Sequence, residues 1–196
     1  MWRWDRKLNQ MPRTALRLVD GGLDTTIEWR WFCGYCAAPA PGNVPPLPSG
    51  RVCSSCGLGI LLEARADAVP GDRDAFVVVD SRLLVQAVSR DAQVVLAITE
   101  ERAIDTPVAE LLIPADAESS HRTGFASAIA EAAQGLEPET TRSFVRPWNT
   151  FGVRMRARIA VCGPPRAALI VLDDDRPAPR STETRSSKVV PLRAIR

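Results

Sequence analysis

Four cysteines in the first third of the chain form two closely spaced pairs. Cys33 and Cys36 end a CGYC motif, Cys53 and Cys56 end a CSSC motif, and 16 residues separate the pairs. A spacing of two residues lets a tight turn aim both sulfurs at one ion, and two such turns supply the four thiolates of a structural zinc site. The sequence therefore predicts a Zn²⁺ site formed by Cys33, Cys36, Cys53 and Cys56.

Other uses of these thiols stay open at this point. Tetrahedral thiolate coordination suits iron as well as zinc. A redox C-x-x-C motif needs one pair at a strand-to-helix junction, whereas these pairs flank a loop with five prolines between Pro39 and Pro48. A redox or metal sensor with reactive thiolates is a further alternative. Gly34 and Gly57, directly after a cysteine of each pair, suit the two tight turns.

The segment from Trp31 to Leu61 resembles a zinc ribbon, in which two cysteine turns each close a short antiparallel hairpin. A segment of this size buries too little apolar surface to fold unaided, so metal binding would supply its stability. Aromatic residues are concentrated in the first 35 residues, and they either pack internally or form a surface for bases or a protein partner. They are Trp2, Trp4, Trp29, Trp31, Phe32 and Tyr35.

From Asp74 onward the apolar pattern predicts a regular domain. Two strands precede the helical segments and three strands follow them, in the order β β α α α β β β. We expect strands near 74–80, 83–89, 140–146, 151–162 and 166–172, and helices near 90–98, 108–112 and 116–134.

Two of the expected strands, AFVVV and AALIVL, are apolar throughout, which is typical of strands covered on both faces. The N-terminal segment or a second copy of the chain would have to cover their outer face. The strand at 151–162 alternates instead, with Arg154, Arg156 and Arg158 on one face. That face is either solvated or a surface for an acidic partner or a nucleotide.

Residues 74–175 resemble the PAS family in their element order and in the segments DAFVVVDSRLLVQAVS, RDAQVVLAI and VAELLIPAD. The resemblance implies an α+β fold with a five-stranded antiparallel sheet, ordered 2-1-5-4-3 in the domain's own strand numbering, and helices on one face. It also implies a pocket that can hold a small-molecule ligand, and an outer sheet face where protein partners dock. It brings no catalytic motif.

The resemblance does not extend to a flavin or a haem cofactor. The photoreactive flavin branch of the family needs a cysteine in a sequence resembling NCRFLQ, which this chain lacks. Haem-binding members often supply an axial histidine from the long helix; the single histidine, His121, lies there, but among polar neighbours that indicate a solvated helix end. Cys162 is expected to be a small buried side chain, with a redox-sensing thiol as the alternative.

Length and composition predict a globular protein with one ordinary domain and a small module. The chain has 196 residues, of which 45% are hydrophobic and 24% charged. Its longest apolar runs are far shorter than the roughly 20 residues of a membrane helix. The first ten residues lack the apolar stretch of a signal peptide. We therefore expect a cytoplasmic protein without a membrane partner. With one histidine and no triad or carboxylate dyad, the sequence does not predict an enzyme.

Charge is distributed unevenly along the chain. Residues 1–60 carry seven basic and four acidic groups, residues 61–175 carry 12 and 18, and residues 176–196 carry six and one. The acidic middle argues against a long nucleic-acid surface on the main domain, because phosphate binding needs clustered cations. The basic tail is rich in Pro, Ser and Thr, a composition that predicts disorder.

The predicted organisation is an N-terminal segment (1–30), a zinc ribbon (31–61), a PAS-like domain (62–175) and a disordered basic tail (176–196). We expect a small sensory or adaptor protein of signal transduction or transcription regulation, acting through a protein partner or self-association across the sheet face. The alternative is a nucleic-acid-binding zinc-ribbon regulator that the PAS-like domain dimerises.

Overall fold

The computed structural model describes residues 27–41, 45–115, 124–136 and 139–174. The strands are β1 (Trp29–Cys33), β2 (Leu61–Arg65), β3 (Ala75–Val79), β4 (Val85–Val88), β5 (Leu112–Pro114), β6 (Thr141–Pro147), β7 (Met155–Gly163) and β8 (Ala167–Asp174). The helices are α1 (Arg90–Leu96), α2 (Glu100–Ala103) and α3 (Phe125–Gln134), and short 3₁₀ turns lie at Pro48–Gly50 and Val108–Glu110.

The strands form one antiparallel sheet whose main path runs β1-β2-β7-β8-β3-β4, while β6 pairs with β7 and β5 pairs with β6. Within it, the path β4-β3-β8-β7-β6 has the order that the PAS resemblance implies. The first and last strands of that region, β3 and β8, are central neighbours, with Val77 opposite Ile170.

The described sheet has eight strands, so the expectation of a five-stranded sheet is corrected. The physical reason lies in β7, which is longer than its pairing with β6 requires. Its residues 155–159 pair with β6, and its far end pairs with β2 through Glu63 opposite Gly163 and Ala64 opposite Cys162. The cysteine segment thereby joins the main sheet. The expected module boundary between residues 61 and 62 falls inside β2.

All three helices pack on one face of the sheet, which we call the inner face. The largest buried cluster lies there, and it combines Val77, Ile159 and Ile170 of the sheet with Leu96 of α1 and Ile129 of α3. The helix α3 contributes three alanines to this cluster, at positions 128, 132 and 133, so its backbone can lie close to β7 and β8. These contacts fit an α+β fold with an antiparallel sheet.

The opposite, outer face of the central strands is covered by the cysteine segment itself. Phe32, Ala37 and Leu62 join Phe76 and Leu169 in a second buried cluster. The rings of Phe32 and Phe76 meet edge to face, with centroids 5.7 Å apart and an angle of 80° between the planes. All five residues of β3 are therefore buried. The helices cover one face of this strand and the cysteine segment covers the other.

Some local expectations differ from the structure. The helix expected over 108–112 is a 3₁₀ turn followed by β5, because Leu112 pairs with Pro147 and is fully buried. Helix α2, which lies near residue 100, was not predicted from the sequence, and its first turn has two acidic residues at the positive end of the helix. The helix expected over 116–134 begins at Phe125, because the backbone of Gly124 is extended. Asp116, His121, Trp2, Trp4 and the tail lie outside the described residues.

In the part of the chain that the structure describes, no helix combines the length and the apolar character needed to cross a membrane.

Candidate metal centre

The four cysteines predicted as ligands converge on one point. Their Sγ atoms all lie within 4.8 Å of one another. The Sγ atoms of Cys33 and Cys56 are 3.7 Å apart, and those of Cys36 and Cys53 are 3.9 Å apart. In a regular tetrahedron with metal–sulfur distances of about 2.3 Å, neighbouring sulfurs lie about 3.8 Å apart. The spacing is therefore that of a four-thiolate metal site, and all four thiols are free of disulfide bonds.

Two backbone turns of matching geometry place these sulfurs. In the first, the N–H of Cys33 donates to the carbonyl of Ala38, and in the second the N–H of Cys53 donates to the carbonyl of Gly59. The residue after each pair has a left-handed backbone, with φ of 61° at Ala37 and 69° at Gly57. Each turn closes a short antiparallel contact, Phe32 with Pro39 in the first and Val52 with Ile60 in the second.

Backbone N–H groups point at two of the sulfurs. Tyr35 and Cys36 donate to the Sγ of Cys33 at 3.4 Å each, and Gly59 donates to the Sγ of Cys56 at 3.5 Å. Burial raises the pKa of the Cys33 thiol to about 12 and also raises that of Cys36, whereas the Gly59 N–H lowers the pKa of Cys56 to about 6. Because four thiolates this close repel one another, a cation at the centre is needed to keep all four ionised.

The donor set fits a soft or borderline ion such as zinc or iron, since all four donors are sulfur. Four protein ligands complete a tetrahedron and leave no position for a substrate, which is the arrangement of a structural site. A bound ion would offset part of the negative charge of the thiolates and cross-link the turns that carry Cys33–Cys36 and Cys53–Cys56. The residues themselves place the sulfurs and exclude water: Cys33 and Cys53 are buried, and Cys36 and Cys56 are half-buried.

Gly59 belongs to this centre although the sequence analysis singled out Gly34 and Gly57 instead. A Cβ atom at position 59 would collide with the Sγ of Cys33 and would lie 2.7 Å from the Cβ of Tyr35. The two turns can approach one another only because this position has no side chain. The sequence does carry a signal, a second glycine three residues after Cys56.

The first cysteine turn is tied directly to the PAS-like region. The carbonyl of Tyr35 accepts a hydrogen bond of 2.9 Å from the N–H of Arg90, the first residue of α1. The preceding residue, Ser89, caps the same helix: its hydroxyl accepts from the N–H of Ala92 at 3.1 Å and from the N–H of Phe76 at 3.0 Å. One buried network thus links the metal centre, α1 and β3.

The remaining candidate residues lie outside this centre. Cys162 is buried on the outer face, and burial raises the pKa of its thiol to about 12, so it is a poor nucleophile. Arg158 donates to both carboxylate oxygens of Asp173 and to Asp74. Arg154 stacks over the ring of Phe144 at 3.8 Å. The arginine row is therefore engaged partly within the molecule, and a purely solvated face is not observed.

Comparison with known proteins gives partial structural matches. No protein-family model matches the chain, and no curated protein matches its sequence. The chain is similar to the PAS domain of a protein from Colwellia psychrerythraea, with 19% identity and a TM-score of 0.40 over 52% of this chain and 85% of that chain. It is also similar to the PAS domain of nitrogen regulation protein NR(II) from Vibrio parahaemolyticus, with 10% identity and a TM-score of 0.37 over 52% and 88%. These structural neighbours are PAS domains, and the four cysteines of this chain form a cluster that could hold a metal ion.

Proposed function

We propose that this protein is a small cytoplasmic sensory or adaptor protein of signal transduction. In this proposal, a zinc ion stabilises the cysteine hairpin that covers part of the outer face of a PAS-like domain. The strand path β4-β3-β8-β7-β6, with the helices on one face, supports the PAS-like part. The four clustered sulfurs support the zinc site. We propose no catalytic role for the metal centre, because a closed four-thiolate site offers no position for a reacting molecule.

One observation carries this proposal: the metal-bearing hairpin is built into the sheet rather than attached beside it. Phe32 packs against Phe76, and the Tyr35 carbonyl binds the first N–H of α1. The PAS resemblance makes the outer sheet face the place where partners dock. The hairpin occupies this face over β3 and β8, so a partner would meet the part formed by β6 and β7.

The outer face at β6 and β7 has the shape and charge for such a contact. A shallow cavity of about 430 Å³ lies there, and it is lined by Arg142, Ser143, Phe144, Arg156, Ala157, Arg158 and Asp173. Arginine and aromatic side chains are enriched at the energetic centres of protein interfaces. We therefore propose a protein partner with acidic groups for this surface, with transcription regulation as one output.

Native mass spectrometry of the full chain, purified from its own host, tests the zinc site and the sensory role together. We expect one zinc ion per chain. A retained small molecule would support a ligand sensor, and zinc alone would support an adaptor that acts through its surface. A chain that folds and carries no metal would contradict the proposal.

Photocrosslinking in the host tests the partner surface. A photoreactive amino acid replaces Arg142, which lines the outer-face cavity, or replaces the exposed Arg73 as a matched control. A protein captured from position 142 and absent from position 73 supports docking on β6 and β7. Equal capture from both positions, or none from position 142, contradicts it.

The alternative function, a nucleic-acid-binding regulator dimerised by the PAS-like domain, needs aromatic side chains beside cations. Among the described residues, the groove next to the metal centre offers this combination through Trp29 and Arg51.

A further inference from the structure

A groove of about 510 Å³ lies beside the metal centre, where three parts of the chain meet. The hairpin of β1 and β2 forms its floor, the cysteine loop forms one wall, and the end of β7 with the following turn forms the other. Its lining residues are Trp29, Trp31, Pro45, Arg51, Glu63, Val161, Cys162, Gly163, Pro164 and Arg166. The volume is within the range of small-ligand sites, about 300–1,000 Å³.

Two buried donors without an acceptor both line this groove. In the described part of the chain, Nε1 of Trp31 and Nε of Arg51 are the buried side-chain nitrogens that have no hydrogen-bond partner. Trp31 is only 5% exposed. Buried polar groups in folded proteins are nearly always paired, so each of these two donors needs an acceptor that the described residues do not supply.

The same groove contains an accessible aromatic surface. Trp29 and Trp31 are two residues apart in β1 and therefore lie on the same face of the strand, about 6.7 Å apart along it. Trp29 is 38% exposed, although it is a large hydrophobic residue. A half-exposed indole in an open groove is a surface on which a planar ring can stack.

The charged residues of the groove indicate which charged groups a ligand would need. Arg51 and Arg166 supply two guanidinium groups, whose charge and planar shape suit a phosphate, although Nη1 of Arg166 also donates to the carbonyl of Gln134 at 3.1 Å. Glu63 lines the same groove, and its carboxylate suits the exocyclic amine of a base rather than a phosphate. Two cations and one anion fit a ligand with a single phosphate better than a long polyanion.

We propose that this groove binds a nucleotide unit, with its base on Trp29 and its phosphate between Arg51 and Arg166. The unit is either a free nucleotide or part of a single strand, since both present a base and a phosphate. This site rests on the alternative function above, nucleic-acid binding through the same groove, and it is independent of the sensory role, because that role depends on the metal content and on the β6–β7 face.

Calorimetric titration of the zinc-loaded full chain tests the site with two probes, adenosine 5′-monophosphate and a single-stranded octamer of deoxyadenylate. The key variant is Trp29→Leu, and the matched control is Trp148→Leu, since Trp148 is 62% exposed and lines a different part of the surface. Loss of one base–aromatic stack weakens binding by about 5- to 150-fold. We expect that loss in Trp29→Leu and an unchanged affinity in Trp148→Leu.

Salt dependence tests the phosphate contact separately. Single-stranded binding changes with a log–log slope of about −0.7 per neutralised phosphate, so the one phosphate held between the two arginines predicts about 2.6-fold weaker binding of the octamer when salt rises fourfold. Arg51→Met should reduce this slope, and Arg73→Met should leave it unchanged.

The results distinguish a free nucleotide from a single strand as the ligand. They also distinguish failure of this proposal from failure of the proposed sensory function. Binding of both probes identifies a nucleotide site, and binding of the octamer alone identifies a single-strand site. The proposal is overturned if neither probe binds, or if Trp29→Leu and Arg51→Met bind like the unsubstituted chain. Zinc content and circular dichroism of each variant confirm that it has folded. A negative result here leaves one zinc per chain and crosslinking at position 142 unaffected.

Discussion

At the scale of single residues, Gly59 sets how closely the two cysteine turns can approach. Its N–H donates to the Sγ of Cys56, and its missing side chain makes room for the Sγ of Cys33 and for Tyr35. No rotamer of another residue could relieve the collision, because the obstructing atoms include the backbone nitrogen of Tyr35 at 2.9 Å.

We therefore predict that Gly59→Ala abolishes stoichiometric zinc binding. The matched control is Gly50→Ala, since a Cβ at Gly50 would meet nothing within 4 Å. Zinc per chain, measured after gel filtration, should fall well below one in Gly59→Ala and stay at one in Gly50→Ala. Full zinc content in Gly59→Ala would show that the two turns can separate without loss of the site.

Asp80 holds the turn between β3 and β4. Its carboxylate accepts from the N–H groups of Arg82 at 2.8 Å and Leu84 at 3.0 Å, and from the Arg82 guanidinium at 3.1 Å. Burial alone would raise the pKa of Asp80, but these donors outweigh it and the pKa is lowered. A lowered pKa in the folded state means that the ionised form stabilises the fold.

The Asp80→Asn variant should be less stable by about 1–2 kcal/mol near neutral pH, because charge-assisted hydrogen bonds are lost. The stabilising effect of the carboxylate is complete above the unfolded pKa of about 3.9 and disappears as the pH falls through the lower folded value. Urea unfolding should thus show a gap between the two proteins that narrows below about pH 4. A gap that stays constant with pH would contradict the role of the charge. Asp72→Asn, at an exposed position, is the control.

At the scale of secondary structure elements, Arg158 connects β7 to its surroundings. Its guanidinium binds Asp173 on β8, Asp74 immediately before β3, and the backbone carbonyl of Asp67 in the β2–β3 connection. The side chain is 19% exposed, so the ion pairs are partly shielded from water. One planar group thereby fixes three segments that are distant in sequence.

Arg158→Lys should cost about 1–2 kcal/mol, because an ammonium group keeps the charge but cannot bridge three acceptors as the planar guanidinium does. Arg73→Lys, at an exposed position, should change the stability by less than about 0.5 kcal/mol. Denaturant unfolding measures both free energies. Equal stability of the two variants would show that Arg158 acts only as a surface charge.

The elements were predictable to very different degrees. The continuous apolar runs of β3 and β8 predicted these strands close to their observed positions, whereas the alternating strand expected over 151–162 begins only at Met155 as β7. Strand β5 was not predicted, because the three-residue segment is a strand only by virtue of its pairing with β6. The cysteine motif indicated the ligands by spacing alone. The packing of Phe32 on Phe76 could not be predicted, because it depends on where the hairpin lies relative to the sheet.

At the scale of the whole molecule, the hairpin that carries the cysteines and the sheet share one hydrophobic cluster. Phe32, Ala37 and Leu62 lie in the segment that contains the cysteines or directly follow it, and they pack on Phe76 and Leu169. Loss of the metal would release the hairpin and expose this cluster. The stability of the PAS-like region should therefore depend on the metal.

We predict that a strong chelator lowers the unfolding temperature of the entire cooperative transition, rather than removing a separate small one. Loss of a buried aromatic contact of this kind costs about 3–5 kcal/mol. The variant Cys56→Ala should behave like the chelated protein, while Cys162→Ala keeps all four ligands and should respond to the chelator as the unsubstituted chain does. Scanning calorimetry gives the result. A main transition that is unchanged by chelation would show that the sheet is stable without its cover.

The pairing of β3 with β8 has a consequence for the order of events during synthesis. The four ligands are complete once residue 56 has been made, but Val77 of β3 has its partner, Ile170, 93 residues later. A ribosome adds about 5–20 residues per second, so β3, which can pair early with β4, waits about 5–20 seconds for β8. During that interval the metal-bearing hairpin, through Phe32, can shield Phe76 on one side of β3. A metal ion held by the four cysteines would then act as an early folding scaffold that protects the central strand of the nascent chain from aggregation.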